Sequence, residues 1–203
     1  MSKYQFHPAY AYRMNSEPYC CWHGALDPHE CMEIIEHGNK KTLIDATINS
    51  SSNVNEEWRR SKVAWFNEHD VEWLYPKIEY ISQQLNGQFY DFDLWGFNED
   101  MQYTVYEESD EGFYDWHADS YTTIENNIDL RLPRKMSLTI QLSDPDDYEG
   151  GDLEINAGGR IIKAPRTLGL AVAFPSYQLH RVTPVTKGTR RSLVVWITGP
   201  RFR

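Results

Sequence analysis

The sequence predicts an α+β fold, mainly β, on three observations. Two segments with helical periodicity occupy the first 86 of its 203 residues. From residue 87 onward short strand-like runs follow one another, and turn-forming clusters separate them. Helices ahead of strands, rather than alternating with them, are placed to buttress one sheet. Many short strands with frequent breaks argue for a sandwich or barrel. No internal repeat or linker interrupts the pattern. Residues 1–203 therefore read as one domain, with an N-terminal arm and supporting helices over 1–86 and a β core over 87–203.

Residues 1–25 are rich in Tyr, Pro and Cys without a clear period and read as a packed arm. Asp27-Pro28-His29-Glu30 then supplies an N-cap, a proline at the first helical position and a glutamate at the third. Cys31, Ile34 and Ile35 fall on one face of that helix, and Gly38 is placed to close it. Residues 45–56 read as a polar loop, and Arg60 to Phe66 as a short strand. A second helical pattern follows Asp70, with Leu74, Ile78, Ile81 and Leu85 at spacings of four, three and four. Pro76 fits only in a first turn, so this helix starts near Trp73 to Tyr75, and Asn86-Gly87 ends it. The period then changes. Phe89, Asp91, Asp93 and Trp95 alternate with Tyr90, Phe92 and Leu94, the mark of a strand with one buried face. Further runs occupy 101–107, 113–119, 136–142, 152–156, 160–163, 168–174, 180–186 and 191–198.

Hydrophobic residues make up 40% of the chain and seven residues are tryptophan, which argues for a folded core rather than disorder. No apolar run approaches the ~20 residues that span a bilayer, and Met1 to His7 lacks the apolar stretch of a signal peptide. The expectation is a soluble, cytoplasmic protein with no membrane partner. Adjacent Cys20 and Cys21, with Cys31 inside a helix, make neither a disulfide framework nor a well-spaced metal site, so reduced, packed thiols are expected. The net charge of −10 is unevenly placed: residues 1–129 hold 24 acidic and 8 basic side chains, residues 130–203 hold 6 and 12. An acidic protein repels phosphate backbones, which argues against a nucleic-acid partner. The basic second half leaves room for an anionic small molecule or an acidic peptide, with a solvated, partnerless surface as the competing reading.

Candidate chemistry centres on Phe113-Tyr114-Asp115-Trp116-His117-Ala118-Asp119. Alternate residues of a strand share a face, so His117 and Asp119 can reach one ion. His180, handed over by the turn Phe174-Pro175-Ser176-Tyr177, would supply a third ligand. Two imidazoles and one carboxylate with open positions are the facial arrangement of non-haem Fe(II) oxygenases. Parity adds a cation. Arg190, Ser192, Val194 and Trp196 share one strand face, so if Trp196 points into a barrel then so does Arg190. An inward guanidinium needs a partner, and a carboxylate held in two parallel hydrogen bonds is the natural one. An intramolecular salt bridge is the alternative.

These residues resemble the Fe(II)/2-oxoglutarate-dependent dioxygenases and, within them, the prolyl 4-hydroxylase-like group. Tyr106, Tyr114-Asp115-Trp116-His117-Ala118-Asp119, Gly150-Gly151, His180, Pro184-Val185, Gly188-Thr189-Arg190 and Trp196 follow that group's pattern over roughly residues 85–200. The resemblance implies a double-stranded β-helix (jelly-roll) core behind the supporting helices, with Fe(II) held by His117, Asp119 and His180. It implies that Arg190 holds the distal carboxylate of 2-oxoglutarate, where collagen-type members use lysine. Tyr106 would add a hydroxyl there, with Tyr103 as the alternative. Gln141 falls where some relatives use tyrosine for that contact. Tyr114, Arg134 and Trp196 match positions lining the substrate side, with packing or an ion pair as the competing reading for each. O₂ is the second co-substrate, and ascorbate a further candidate cofactor. The implied reaction hydroxylates an aliphatic carbon, with prolyl in a peptide or protein as the first substrate and a free amino acid or other small molecule as the alternative. Succinate and CO₂ are released. Asp119 itself favours hydroxylation, because halogenating relatives lack this carboxylate.

Two other classes compete. A non-catalytic jelly-roll binding metal as a sensor or ligand-binding module would not need an inward Arg190. A zinc hydrolase using the same three ligands would want a separate acid/base carboxylate, and the chain has no His-Glu-x-x-His helix. Residues 45–56 and the acidic loop 107–111 are the candidate lids.

Overall fold

The structure, a computed structural model, describes residues 17–46, 57–120 and 133–201. Of the expected arm and polar loop, residues 1–16 and 47–56 lie outside that set. Helix α1 (Pro28–Lys40) begins as its residues predict: Asp27 Oδ1 accepts from the Glu30 amide at 2.9 Å, and the Glu30 carboxylate accepts from the Asp27 amide at 2.8 Å. Cys31 and Ile34 are buried on its inner face. Gly38 does not close the helix, which runs on to Lys40. It is glycine for another reason: a Cβ there would stand 2.5 Å from the ring of Tyr103. Gly38→Ala is therefore expected to overpack this contact and cost about 1–3 kcal/mol, read as a lowered melting temperature. An unchanged melting temperature would mean that the Tyr103 ring can step aside.

Helix α2 (Leu74–Phe89) buries Leu74, Ile78, Ile81 and Leu85 at the predicted spacings, with Pro76 in its first turn. It continues past Asn86-Gly87 to Phe89. The strand expected over 89–95 is absent, although its apolar and acidic residues alternate. Asn86 explains the difference, because its amide oxygen accepts from the Phe92 N–H and its amide nitrogen donates to the Phe92 carbonyl, both at 2.9 Å. Asp91 takes a left-handed φ of 54° to make the reversal. Both backbone groups of Phe92 are thus satisfied by a side chain, and only the two-residue β5 (Gly96–Phe97) pairs with a neighbour there.

Two antiparallel sheets form the core. The larger runs β1 (Cys20–Trp22), β12 (Ala171–Pro175), β8 (Arg134–Gln141), β14 (Val185–Thr198), β6 (Met101–Glu107), β4 (Lys62–Phe66) and β2 (Ile44–Asp45), with β5 and β9 (Tyr148–Gly150) also on β14. The smaller runs β11 (Arg160–Lys163), β10 (Leu153–Ala157), β13 (His180–Val182), β7 (Phe113–His117) and β3 (Arg59–Arg60). This is the jelly-roll arrangement, mainly β with two supporting helices.

The two faces of the larger sheet differ in chemistry. On one face Met101, Tyr103 and Val105 of β6, Met136, Leu138 and Ile140 of β8, and Leu193, Val195 and Ile197 of β14 pack with Ile34 of α1 and Leu74, Ile78 and Ile81 of α2. Each of these larger aliphatic side chains, fully withdrawn from water, contributes roughly 1.5–3 kcal/mol. The alternate residues turn towards the smaller sheet and are polar yet buried: Gln102, Thr104, Ser137, Thr139, Gln141, Arg190 and Ser192. The main hydrophobic core therefore lies between helices and sheet, and the barrel interior is left for chemistry.

Candidate active site

His117 and His180 sit directly opposite each other on β7 and β13, as Cα partners across an antiparallel pair. Their ring centroids are 4.2 Å apart. The Nδ1–H of His117 donates to the Asp115 carbonyl at 2.7 Å, and that of His180 donates to the Gln178 carbonyl at 2.9 Å. A carbonyl can only accept, so each proton is fixed on Nδ1 and each Nε2 presents a lone pair. Both Nε2 atoms face Asp119, 3.7 Å from Oδ1 for His117 and 3.6 Å from Oδ2 for His180. The three ligand atoms lie within 4.8 Å of one another, a spacing one ion can bridge.

Asp119 lies just beyond β7, whose regular pairing stops at His117 rather than running to 119. It is placed from the other sheet. Ser137 Oγ on β8 donates to Asp119 Oδ2 at 2.6 Å and lies 3.0 Å from Ser176 Oγ, while the Ser120 N–H donates to the Ser176 carbonyl at 2.9 Å. Sequence reasoning missed both serines. A signal for Ser137 existed: a small polar residue between Met136 and Leu138, in phase with the face that carries Gln141.

Burial, and next the facing His180, push His117 down to about 3, so its imidazole is neutral, the form that binds metal. For Asp119 burial opposes ionisation, but His180, His117, Arg134 and the Ser137 hydroxyl outweigh it and hold the carboxyl below its usual range. The site therefore presents a neutral His117 and an anionic Asp119, with His180 Nε2 facing the same carboxylate. Tyr114 stacks on His117 at 3.5 Å, and burial pushes its phenol up to about 12. Plain alternation would put residues 114 and 117 on opposite faces. An irregularity between His180 and Val182, which pair with His117 and Tyr114 respectively, brings the rings together. Arg59 on β3, also missed by sequence reasoning, lies 4.5 Å over the Tyr114 ring.

Arg190 does point inward. It is 3% exposed, opposite Tyr106 on β6, with its guanidinium 5.2 Å from that ring. Among the described residues its only hydrogen-bond partner is Ser192 Oγ at a long 3.5 Å, and no carboxylate lies within ion-pair distance. Such a buried cation is costly unless an anion joins it. Tyr103 is on the opposite face, stacked on Phe66 with its hydroxyl 3.3 Å from Asn39 Oδ1, so Tyr106 is the tyrosine beside Arg190. Gln141 lines the same cavity as Arg190 but donates to the Tyr148 hydroxyl at 2.7 Å.

Arg134 and Trp196 form a unit on the metal side. The guanidinium lies 3.7 Å over the indole, is bidentate to Glu99, and reaches the Asp119 carbonyl at 3.5 Å. A register shift at Lys135 turns Arg134 to the inner face. Among the described residues the buried Trp196 Nε1 has no hydrogen-bond partner. The acidic 107–111 loop is tied down: Glu107 pairs with Lys62 at 2.5 Å, and Glu108 accepts from the Gly188 N–H at 2.9 Å.

Two sheets of this topology with two imidazoles and a carboxylate converging inside define a double-stranded β-helix with the donor set of a non-haem Fe(II) centre. A family model described as the 2OG-Fe(II) oxygenase superfamily matches residues 101–198. A PKHD-type hydroxylase of Alteromonas mediterranea is 42% identical over 85 residues, which is 41% of this chain and 37% of that relative. The matched part is thus well under half the length of that relative. A prolyl-4-hydroxylase of Pseudomonas putida has the same fold, with a TM-score of 0.69 and 16% identity over 95% of this chain and 98% of its own. A Trichoplax adhaerens prolyl hydroxylase, solved with a hypoxia inducible factor oxygen degradation domain peptide fragment, aligns with a TM-score of 0.72 and 17% identity over 92% and 86%. Residues 101–198 are thus similar to the 2OG-Fe(II) oxygenase superfamily, and the chain shares its fold with these prolyl hydroxylases. His117, Asp119 and His180 all fall within the matched residues, and their donor set suits Fe(II). Among the described residues no helix is long and apolar enough to cross a membrane.

Proposed function

We propose that this protein is a 2-oxoglutarate-dependent hydroxylase that oxidises an aliphatic C–H of a prolyl residue in a peptide or protein, releasing succinate and CO₂. The observation that carries the reading is Arg190, a buried guanidinium with no carboxylate beside it among the described residues, in the same barrel interior as three convergent candidate metal ligands. A sensor needs the ligands but not the cation. His117, Asp119 and His180 would hold the iron, and Arg190 with Tyr106 the distal carboxylate of the keto acid. When bound, the iron, the keto acid and O₂ supply the oxidising power that turns C–H into C–OH.

The chain's own residues bind, orient and exclude water. The two Nδ1–H bonds keep the imidazoles in their ligating tautomer, and Ser137 aims Asp119. Tyr114 and Phe174 cover the histidine rings and keep bulk water off them. Arg134, locked by Glu99 and stacked on Trp196, would form a rigid wall against the substrate, and the unused Trp196 N–H is a donor for a peptide carbonyl. The peptide seen with the Trichoplax enzyme supports a peptide substrate. The basic charge of residues 130–203 favours acidic residues flanking the target.

Anaerobic titration with Fe(II) and 2-oxoglutarate, then succinate release with prolyl peptides, free proline and other small molecules, tests the proposal. Metal-dependent 2-oxoglutarate binding and faster succinate release with a prolyl peptide are expected. Binding with no turnover on any candidate would favour the sensor reading.

A cytoplasmic setting is part of the proposal. Its support is three free thiols, Cys20, Cys21 and Cys31, each pushed up to about 11, chiefly by burial. A raised thiol value means the fold favours the protonated form, so that stability is intact below pH 9 and is lost as pH rises towards 11. Denaturant midpoints should hold from pH 7 to 8.5 and then fall, by up to about 1.4 kcal/mol per pH unit for each thiol. A flat profile through pH 10.5 would contradict this.

A further inference from the structure

The cavity into which Arg190 points also contains a hydroxyl that the chemistry above leaves unused. Tyr148 enters it from β9, 3% exposed, beside Gln141, Gly151 and Arg166. Its oxygen receives two hydrogen bonds, from Gln141 Nε2 at 2.7 Å and from Arg166 Nε at 3.2 Å. Both donors are themselves held. Gln141 Nε2 also reaches the Ser143 carbonyl at 3.5 Å, and Arg166 donates to the carbonyls of Tyr148 at 2.7 Å and Pro145 at 3.3 Å while lying 4.0 Å over the Tyr148 ring. With both lone pairs of the phenol oxygen engaged, its proton has to be given elsewhere. Among the described residues nothing accepts it.

Arg190 is the immediate neighbour. A Cβ added at Gly151 would lie 2.9 Å from Arg190 Cδ and 3.2 Å from Tyr148 Cε2, so the two side chains flank one glycine. Among the described residues, a guanidinium with no anion beside it and a hydroxyl with no acceptor thus line one cavity. A hydroxyl that accepts from a guanidinium is also polarised into a better donor.

We propose that Tyr148 is a co-substrate-binding residue: its hydroxyl donates to the distal carboxylate held by Arg190, and Gln141 and Arg166 position it. In this chain Gln141 then acts through Tyr148, in place of a tyrosine at 141. The inference rests on the reading of Arg190 given under the proposed function.

Tyr148→Phe keeps the ring beneath Arg166 and removes the donor. With Mn(II) in the metal site, calorimetric titration should show 2-oxoglutarate binding weakened roughly ten- to a hundredfold. Affinity for Mn(II), and for 2-oxopentanoate, which has the keto-acid end but no distal carboxylate, should be unchanged. Gln141→Leu should give a smaller loss with the same selectivity. Equal 2-oxoglutarate affinity in wild type and Tyr148→Phe, while Arg190→Ala is weakened, overturns this inference alone. An equal loss for both acids also overturns it, since that pattern belongs to a structural role. Wild-type protein that binds no 2-oxoglutarate, or Arg190→Ala that binds it normally, overturns the wider reading as well. Should Tyr148→Phe lose its fold, Gln141→Leu decides on the same two acids: a selective loss supports the assignment and equal affinities overturn it.

Discussion

Asp119→Ala is expected to strip the centre of its metal. It removes the only anion among the three candidate ligands and leaves two imidazoles, so Mn(II) or Fe(II) affinity should fall by more than about a hundredfold and turnover should vanish. That exceeds the 10- to 100-fold typical of losing a group that merely supports a ligand. Ser137→Ala supplies that smaller case, because it removes the 2.6 Å bond to Asp119 Oδ2 and leaves the carboxylate in place. Metal-free Asp119→Ala should melt lower than wild type, since His180, His117, Arg134 and the Ser137 hydroxyl hold the carboxyl below its usual range in the fold and their stabilisation is lost with it. Calorimetric titration and a melting curve read both effects. Unchanged Mn(II) affinity would falsify the metal assignment.

Arg190→Ala should do to the co-substrate what Asp119→Ala does to the metal. Two charge-assisted hydrogen bonds at about 1.5–3 kcal/mol each predict a loss of at least a hundredfold in 2-oxoglutarate affinity. Arg190→Lys should recover part of it, as a point charge that cannot make the fork. The metal should bind as before, and the rise in melting temperature that 2-oxoglutarate gives the wild type should disappear. If that rise survives in Arg190→Ala, the guanidinium serves some other anion.

The residues behind both expectations are legible in the sequence, because strand parity is a simple rule. It holds for the inward residues from Arg190 to Trp196 along β14, whereas Asp119 lies past the end of β7 and is aimed by Ser137 of the other sheet. Helix α1 is equally readable, since its capping box is local chemistry. What escapes the sequence is non-local. The Ser137–Ser176 support joins residues 39 apart, and neither serine stands out in its own segment. The stack of Tyr114 on His117 depends on an irregularity in strand pairing that no periodicity reveals. Over 89–95 the alternation is real, but one asparagine side chain takes both hydrogen bonds of Phe92 that a strand would have needed. Gly38 reads as punctuation, whereas the reason for it is a ring arriving from residue 103. Gln141 does line the expected cavity, but its partner Tyr148 lies on a different strand.

The division of labour along β14 has a practical corollary for anyone who would retune this protein. Its odd-numbered residues from Leu193 to Ile197 moor the strand to the helices, while even-numbered Arg190, Ser192 and Trp196 look the other way. Selectivity can therefore be rewritten at even positions with the moorings left alone, and an altered diacid preference need not come with a looser scaffold. A change at an odd position would unseat the strand and carry every inward group off its mark at once.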